Sequence, residues 1–131
     1  MEFIVSRGNR DMGLPFSDAV RVGGMLVLSG QLGNLPGRFE LAPGGIAAET
    51  RQMMDNIAHM LNAAGRSFDD VFKCLVMLAD MDDWAEFNRI YAGYFEPGRL
   101  PARSAFAAQA LALGARVEME CWAWDGPRER T

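Results

Sequence analysis

Two neighbouring stretches limit the fold more than anything else in this chain. From Ile46 the apolar residues Ile46, Met53, Met54, Ile57, Met60, Leu61 and Ala64 recur at intervals of three and four, the period of a helix with one apolar face. Gly65 supplies its C-terminal stop. Asp70 to Ala79 then carries Val71, Phe72, Leu75, Val76, Met77 and Leu78, a length and near-continuous apolarity that suit a central strand buried on both faces. A one-faced helix needs one surface and a two-faced strand needs two, so the pair predicts helices laid on a sheet.

The remaining elements fit around that pair. Glu2 to Ser6, Ala19 to Val22 and Met25 to Leu32 favour β structure, and Gly23-Gly24 gives the last two a tight hairpin turn. Asp82 and Asp83 can cap a second helix, with Glu86 three positions after Asp83 as in a capping box, and Trp84, Phe87, Tyr91 and Tyr94 as its apolar stripe. Pro97-Gly98 ends it. Ala102 to Ala108 and Arg116 to Trp124 read as two closing strands, the last alternating Val117, Met119, Cys121 and Ala123 against Glu118, Glu120, Trp122 and Trp124. The order β-β-β-α-β-α-β-β makes an α+β unit spanning 1–131 as a single domain, with a six-stranded mixed sheet and two helices on one face. Two helices leave the other face of such a sheet bare, and oligomerisation is the economical way to cover it.

Composition narrows the function classes. At 131 residues with net charge -4, the 13 Lys and Arg are scattered rather than gathered into a stripe that could track phosphates, so no nucleic-acid partner is expected. No stretch reaches the roughly 18 to 20 apolar residues of a membrane span, and Met1 to Arg10 lacks a secretory layout, so a cytoplasmic location is expected. Cys74 and Cys121 read as free buried thiols, because without a CxxC pair and with His59 alone as a nitrogen ligand no metal site is expected. His59 falls beside the polar face of its helix and reads as solvated.

Three places could carry chemistry. Pro101-Ala102-Arg103-Ser104 puts an Arg at the entry of a strand, where its planar fork could grip a carboxylate or form an ordinary surface ion pair. Glu118 and Glu120 share one face of an otherwise apolar strand. They either meet cations from a neighbouring strand or subunit, or one of them directs water with a pKa raised by burial. Ser29-Gly30-Gln31 ends an apolar strand, where Gly30 either admits a ligand close to the backbone or simply begins a loop.

In combination these pieces resemble the YjgF/RidA family. The signature is PARSAF at 101 to 106 followed by VEME at 117 to 120, supported by LSGQ at 28 to 31, ETRQMMDNI at 49 to 57, AAG at 63 to 65, DDV at 69 to 71 and MDDWAEFNRIYAGYF at 81 to 95. The resemblance implies a chorismate-mutase-like subunit and a homotrimer with ligand clefts between subunits. It also implies hydrolysis of reactive enamine and imine acids, released by pyridoxal-phosphate enzymes acting on serine or threonine, to 2-keto acids and ammonia. By position, Arg103 would bind the substrate carboxylate and Glu118 would place the attacking water. Phe16, Ser29, Gly30, Asn88, Ser104 and Ala105 would line the pocket, and no cofactor is implied because the imine carbon is already electrophilic.

The chain departs from the family pattern at several points. Pro15-Phe16 stands where family deaminases usually carry Pro-Tyr, keeping the ring and losing the phenol. Ala105 replaces a common Cys, Gln109 falls outside the small or basic residues usual at its place, and Asn34 to Gly45 follows the family only loosely. A non-catalytic module that binds a 2-keto acid is therefore a second expectation. Ribonuclease activity, a label attached to this family, fits poorly with the acidic balance and the lack of a His-based acid and base pair.

Overall fold

A computed structural model describes residues 1–127. Seven strands form one mixed sheet: β1 (Glu2–Ile4), β2 (Ala19–Val22), β3 (Met25–Leu28), β4 (Gln31–Leu32), β5 (Val71–Leu78), β6 (Ala102–Ala107) and β7 (Val117–Trp124). The spatial order is β1-β2-β3-β7-β5-β6, with β4 also paired to β7. Only β5 and β6 run parallel, which the crossover through a helix between them requires. The helices are α1 (Arg7–Asp11), α2 (Gly45–Ala63) and α3 (Trp84–Ala92), with short 3₁₀ turns at Phe68–Asp70, Met81–Asp83 and Ala112–Gly114.

The expected period governs the core. Met53, Met54, Ile57, Met60 and Leu61 of α2 are buried against Cys74, Val76 and Leu78 of β5 and Val117, Met119, Cys121 and Ala123 of β7. Phe87 and Tyr91 of α3 join the same cluster. Each fully buried Leu, Met or Phe in such a cluster contributes roughly 1.5 to 3 kcal/mol through removal from water. The alternate positions Met25, Val27, Leu75, Met77, Phe106, Trp122 and Trp124 lie on the other sheet face, half-buried or exposed. The two long helices thus sit on one side, as the sequence reading expects, and an apolar face remains open.

Four details differ from that reading. The sheet has seven strands rather than six because Met25 to Leu32 is broken into β3 and β4. Val27 lies opposite Trp122 and Gln31 opposite Met119, four steps on one side against three on the other, so Ser29-Gly30 lies in a β-bulge. A third helix, α1, also forms; it buries none of its own residues, so no apolar period announces it. Ser6 caps it by accepting from the Asn9 N–H at 3.2 Å. The capping box at Asp83 and Glu86 does not form. Asp83 instead accepts a paired set of hydrogen bonds from the Arg116 guanidinium at 2.9 to 3.1 Å, Asp80 takes the Asp82 N–H, and Glu86 pairs with Arg89. Finally, Trp84 is exposed and Ile90 takes its expected place in the stripe.

Candidate active site

Arg103 enters the site from β6, an edge strand. Its register partner is Cys74 of β5, which faces Cys121 of β7, and cross-strand neighbours share a sheet face. The Arg103 side chain therefore leaves the sheet on the helix side, where its guanidinium lies 4.9 Å from the Tyr91 ring centre and 5.6 Å from that of Phe87. Two aromatic faces hold a cation and fix its orientation. Among the described residues no carboxylate or carbonyl takes a hydrogen bond from this guanidinium. The ordinary ion pair weighed from sequence is therefore not what this Arg makes.

Two further polar groups lie on α3 beside these rings. Asn88 Oδ1 and the Tyr91 hydroxyl are buried without a hydrogen-bond partner, three positions apart on α3 and hence on neighbouring parts of one helix surface. Buried polar atoms are normally satisfied. Burial, reinforced by the neighbouring Cys74, pushes the Tyr91 phenol far above its ordinary range, so it stays a neutral donor. The helical period alone makes Tyr91 one member of an apolar stripe. Only the pairing of β6 beside β5 reveals that its ring carries Arg103. Cys74 and Cys121 lie below as free buried thiols, 3.5 Å apart, and Ala105 packs against the core on the same side as Arg103. Ser104 alternates to the open face and is exposed.

A second group of these residues lies on the other side of the sheet. Glu118 pairs across the ladder with Met77 of β5 and with Leu32 of β4, so its carboxyl leaves from the open face. Gly30 in the bulge adjoins it so closely that a Cβ there would run into the Glu118 carboxylate. Absence of a side chain at position 30 is thus a condition for that carboxyl's position. Burial, and secondarily the like charge of Glu120, raises the Glu118 pKa above the usual carboxylate range. Ser29 donates its hydroxyl proton to the Ser17 carbonyl at 2.6 Å, and its N–H bonds the Asp18 carbonyl at 2.9 Å. These bonds pin the Phe16 to Asp18 segment to the bulge and leave the Ser29 oxygen as an acceptor. Phe16 is 50 % exposed beside Gly30.

The sequence-selected residues therefore fall into two groups that one chain does not bring together. Arg103, Asn88 and Ala105 lie on the helix side. Gly30 and Glu118 lie on the open side, with Ser29 and Phe16 beside them. Arg103 and Glu118 are separated by one intervening strand, β5, by three positions along the ladder and by the sheet itself. His59 is exposed. Among the described residues no cluster of His, Cys, Asp or Glu could hold a metal ion, and no helix is long and apolar enough to cross a membrane.

Comparison with known proteins places the chain in a family. Residues 11–124 match the sequence profile of the family described as Endoribonuclease L-PSP. The chain is 45% identical over 113 residues to the 2-iminobutanoate/2-iminopropanoate deaminase of Mus musculus, covering 86% of this chain and 83% of that one. It is 42% identical to the protein of the same name from Homo sapiens, covering 86% and 82%. Among solved structures, a putative endoribonuclease from Thermotoga maritima superposes with a TM-score of 0.86 at 32% identity, covering 97% of this chain and 100% of that one. RidA from the Antarctic bacterium Psychrobacter superposes with a TM-score of 0.80 at 37% identity, covering 85% and 89%. With its PARSAF segment on β6 and its VEME segment on β7, either side of β5 in this sheet, the chain belongs to the Endoribonuclease L-PSP family, also called YjgF/RidA.

Proposed function

We propose that this protein hydrolyses 2-imino acids to 2-keto acids and ammonia, in clefts between copies of a homotrimer. The observation that carries the reading is Arg103, a guanidinium fixed over two rings with its hydrogen-bonding fork unpaired. Such a fork binds a carboxylate through two parallel charge-assisted bonds. The deaminase relatives at 42% to 45% identity support the same chemistry.

Arg103, Asn88 and Tyr91 of one copy would face Gly30, Glu118, Ser29 and Phe16 of the next. The open apolar sheet face supplies the surface through which copies associate. In the cleft, Arg103 holds the carboxylate and the Ser29 oxygen or Gly30 backbone receives the imine nitrogen. Glu118 accepts a proton from water as the water oxygen bonds to C2, the C=N electron pair moves to nitrogen, and Glu118 passes that proton to the nitrogen. The carbinolamine hydroxyl then gives its proton to the freed Glu118 carboxylate, which passes it to the amine nitrogen, so that the C–N bond breaks and ammonia departs as the keto group forms. A carboxyl with a raised pKa suits both transfers, since it is a stronger base than an ordinary carboxylate. The acceleration required is modest because orientation of a reactive electrophile does most of the work.

The direct test follows 2-iminobutanoate, generated in situ by a threonine dehydratase, with semicarbazide trapping the imine that remains. Wild type should speed its loss, and Arg103→Lys, which keeps the charge but not the fork, should lower kcat/KM by about ten- to a hundredfold. Phe16 lacks the phenol of family deaminases, so a binding module is the competing reading. Saturable binding of 2-ketobutyrate with no acceleration by wild type would establish that module and refute hydrolysis of this substrate.

A further inference from the structure

Cys74 of β5 and Cys121 of β7 stand directly opposite each other in the antiparallel ladder, with their sulfurs 3.5 Å apart. Opposed positions of such a ladder hold their Cα atoms about 4.5 or 5.5 Å apart, and both spacings fall within the roughly 4.4 to 6.8 Å that a disulfide spans. Closing the bond to about 2.05 Å asks each sulfur to move by less than about 1 Å. The strand has local give for that motion. Val71 faces Ala123 and Lys73 faces Trp122, so Phe72 is an extra residue in a bulge just before Cys74. Both thiols are free and 0 % exposed, a setting in which thiols are ordinarily inert. This pair differs. The Cys121 thiol hydrogen-bonds Cys74 and holds its pKa below the usual thiol range, helped against burial by the nearby Tyr91 hydroxyl and the positive charges of Arg103 and Lys73. The same bond, together with burial, pushes the Cys121 thiol up. Cys74 is therefore the nucleophile of the pair and Cys121 the resolving thiol.

We infer that Cys74 and Cys121 form an oxidative modification site, which hydrogen peroxide converts to a cross-strand disulfide, and that this disulfide weakens carboxylate binding by Arg103. The Cys74 thiolate attacks one peroxide oxygen, the O–O bond breaks, and the departing hydroxide takes the proton that the thiol gave up, leaving as water. The Cys121 sulfur then attacks the Cys74 sulfenic sulfur, the S–S bond forms, the S–O bond breaks, and the hydroxyl leaves with the Cys121 proton as a second water. The two thiols lose two electrons and one peroxide gains them. Hydrogen peroxide, little larger than water, reaches the pair through local opening at the edge strand β6. Cys74 is the register partner of Arg103, and Tyr91, whose ring carries Arg103, adjoins Cys74. Drawing the Cys74 sulfur toward β7 takes a neighbour from Tyr91, and a close-packed interior passes the shift to the ring. The effect on binding rests on the reading of Arg103 as a carboxylate grip, whereas formation of the disulfide does not.

The test treats the reduced protein with hydrogen peroxide, removes the excess with catalase and counts thiols in denaturant. Wild type should lose both thiols together, yield a peptide pair linked through Cys74 and Cys121, and regain both thiols in dithiothreitol. Calorimetry with 2-ketobutyrate should show binding at least about threefold weaker in the oxidised protein, restored on reduction. Cys121→Ala, treated alike, should keep its affinity, which separates the disulfide from oxidation of the nine methionines. Thiols that survive peroxide in the folded protein overturn the modification site. So does their loss without the linked peptide and without recovery on reduction. A disulfide that leaves 2-ketobutyrate affinity unchanged overturns its effect on Arg103. Reduced wild type that binds no 2-ketobutyrate overturns the carboxylate grip, while the thiol count and the linked peptide still decide the disulfide.

Discussion

At the scale of single residues, the Arg103 guanidinium is held by two rings that α3 supplies. Arg103 stands out because a proline fixes the strand entry before it, but the rings that hold it come from α3, and only the β5 and β6 register puts them together. Asn88 was legible only through resemblance, and its unpartnered oxygen only through folding. Glu118 carries a prediction with a definite sign. Burial raises its folded pKa, so its contribution to stability is fully present below its unfolded pKa, near 4.3, and is lost as pH rises through the folded value. Glu118→Gln should therefore be no less stable than wild type at pH 7, with its relative stability improving between acid and neutral pH in thermal melts. Activity has the opposite dependence. The base must be ionised, so kcat/KM for 2-iminobutanoate should rise with pH through a midpoint above the ordinary carboxylate range, and this limb should vanish in Glu118→Gln.

At the scale of elements, periodicity located the long segments almost to the residue: α2 at Gly45–Ala63, β5 at Val71–Leu78 and β7 at Val117–Trp124. It could not see the bulge at Ser29-Gly30, because one unpaired residue reverses which face the chain addresses without changing its composition. It could not see α1 either, whose order comes from capping and from Asp18 rather than from burial. The expected cap at Asp83 failed because the bidentate Arg116 guanidinium is a stronger partner than a backbone N–H. The bulge has a measurable consequence. Gly30→Ala places a methyl group against the Glu118 carboxylate, so the carboxyl or the bulge must shift. Misplacement on the order of 1 Å costs about a hundredfold in catalysis. The variant should remain folded by circular dichroism and lose about that much in kcat/KM, while a rate within about twofold of wild type would deny Glu118 its positioned role.

At the scale of the whole molecule, distant parts are tied by a few charged groups. Asp125, just after β7, accepts from Arg21 of β2 at 2.8 Å and from Arg66, just after α2, at 2.9 Å. Partial burial pushes its pKa up, but the two arginines outweigh this and hold the carboxyl below its usual range. A depressed folded pKa gives stability that is present above the unfolded pKa, near 3.9, and is lost as pH falls through the folded value. Asp125→Asn should cost roughly 1 to 3 kcal/mol at pH 7 in denaturant unfolding, and the difference from wild type should shrink below about pH 4.

The whole-molecule scale also holds the central claim, that Arg103 and Glu118 act on one substrate although one chain keeps them on opposite sheet faces. The decisive measurement mixes two inactive proteins, Arg103→Ala and Glu118→Gln, under conditions where mass spectrometry shows that subunits exchange. In a ring where each site draws one residue from each of two neighbours, random mixing at equal amounts restores an intact site at about one position in four. Recovery of about a quarter of wild-type activity is the predicted result. Exchange without recovery would contradict a site shared between copies.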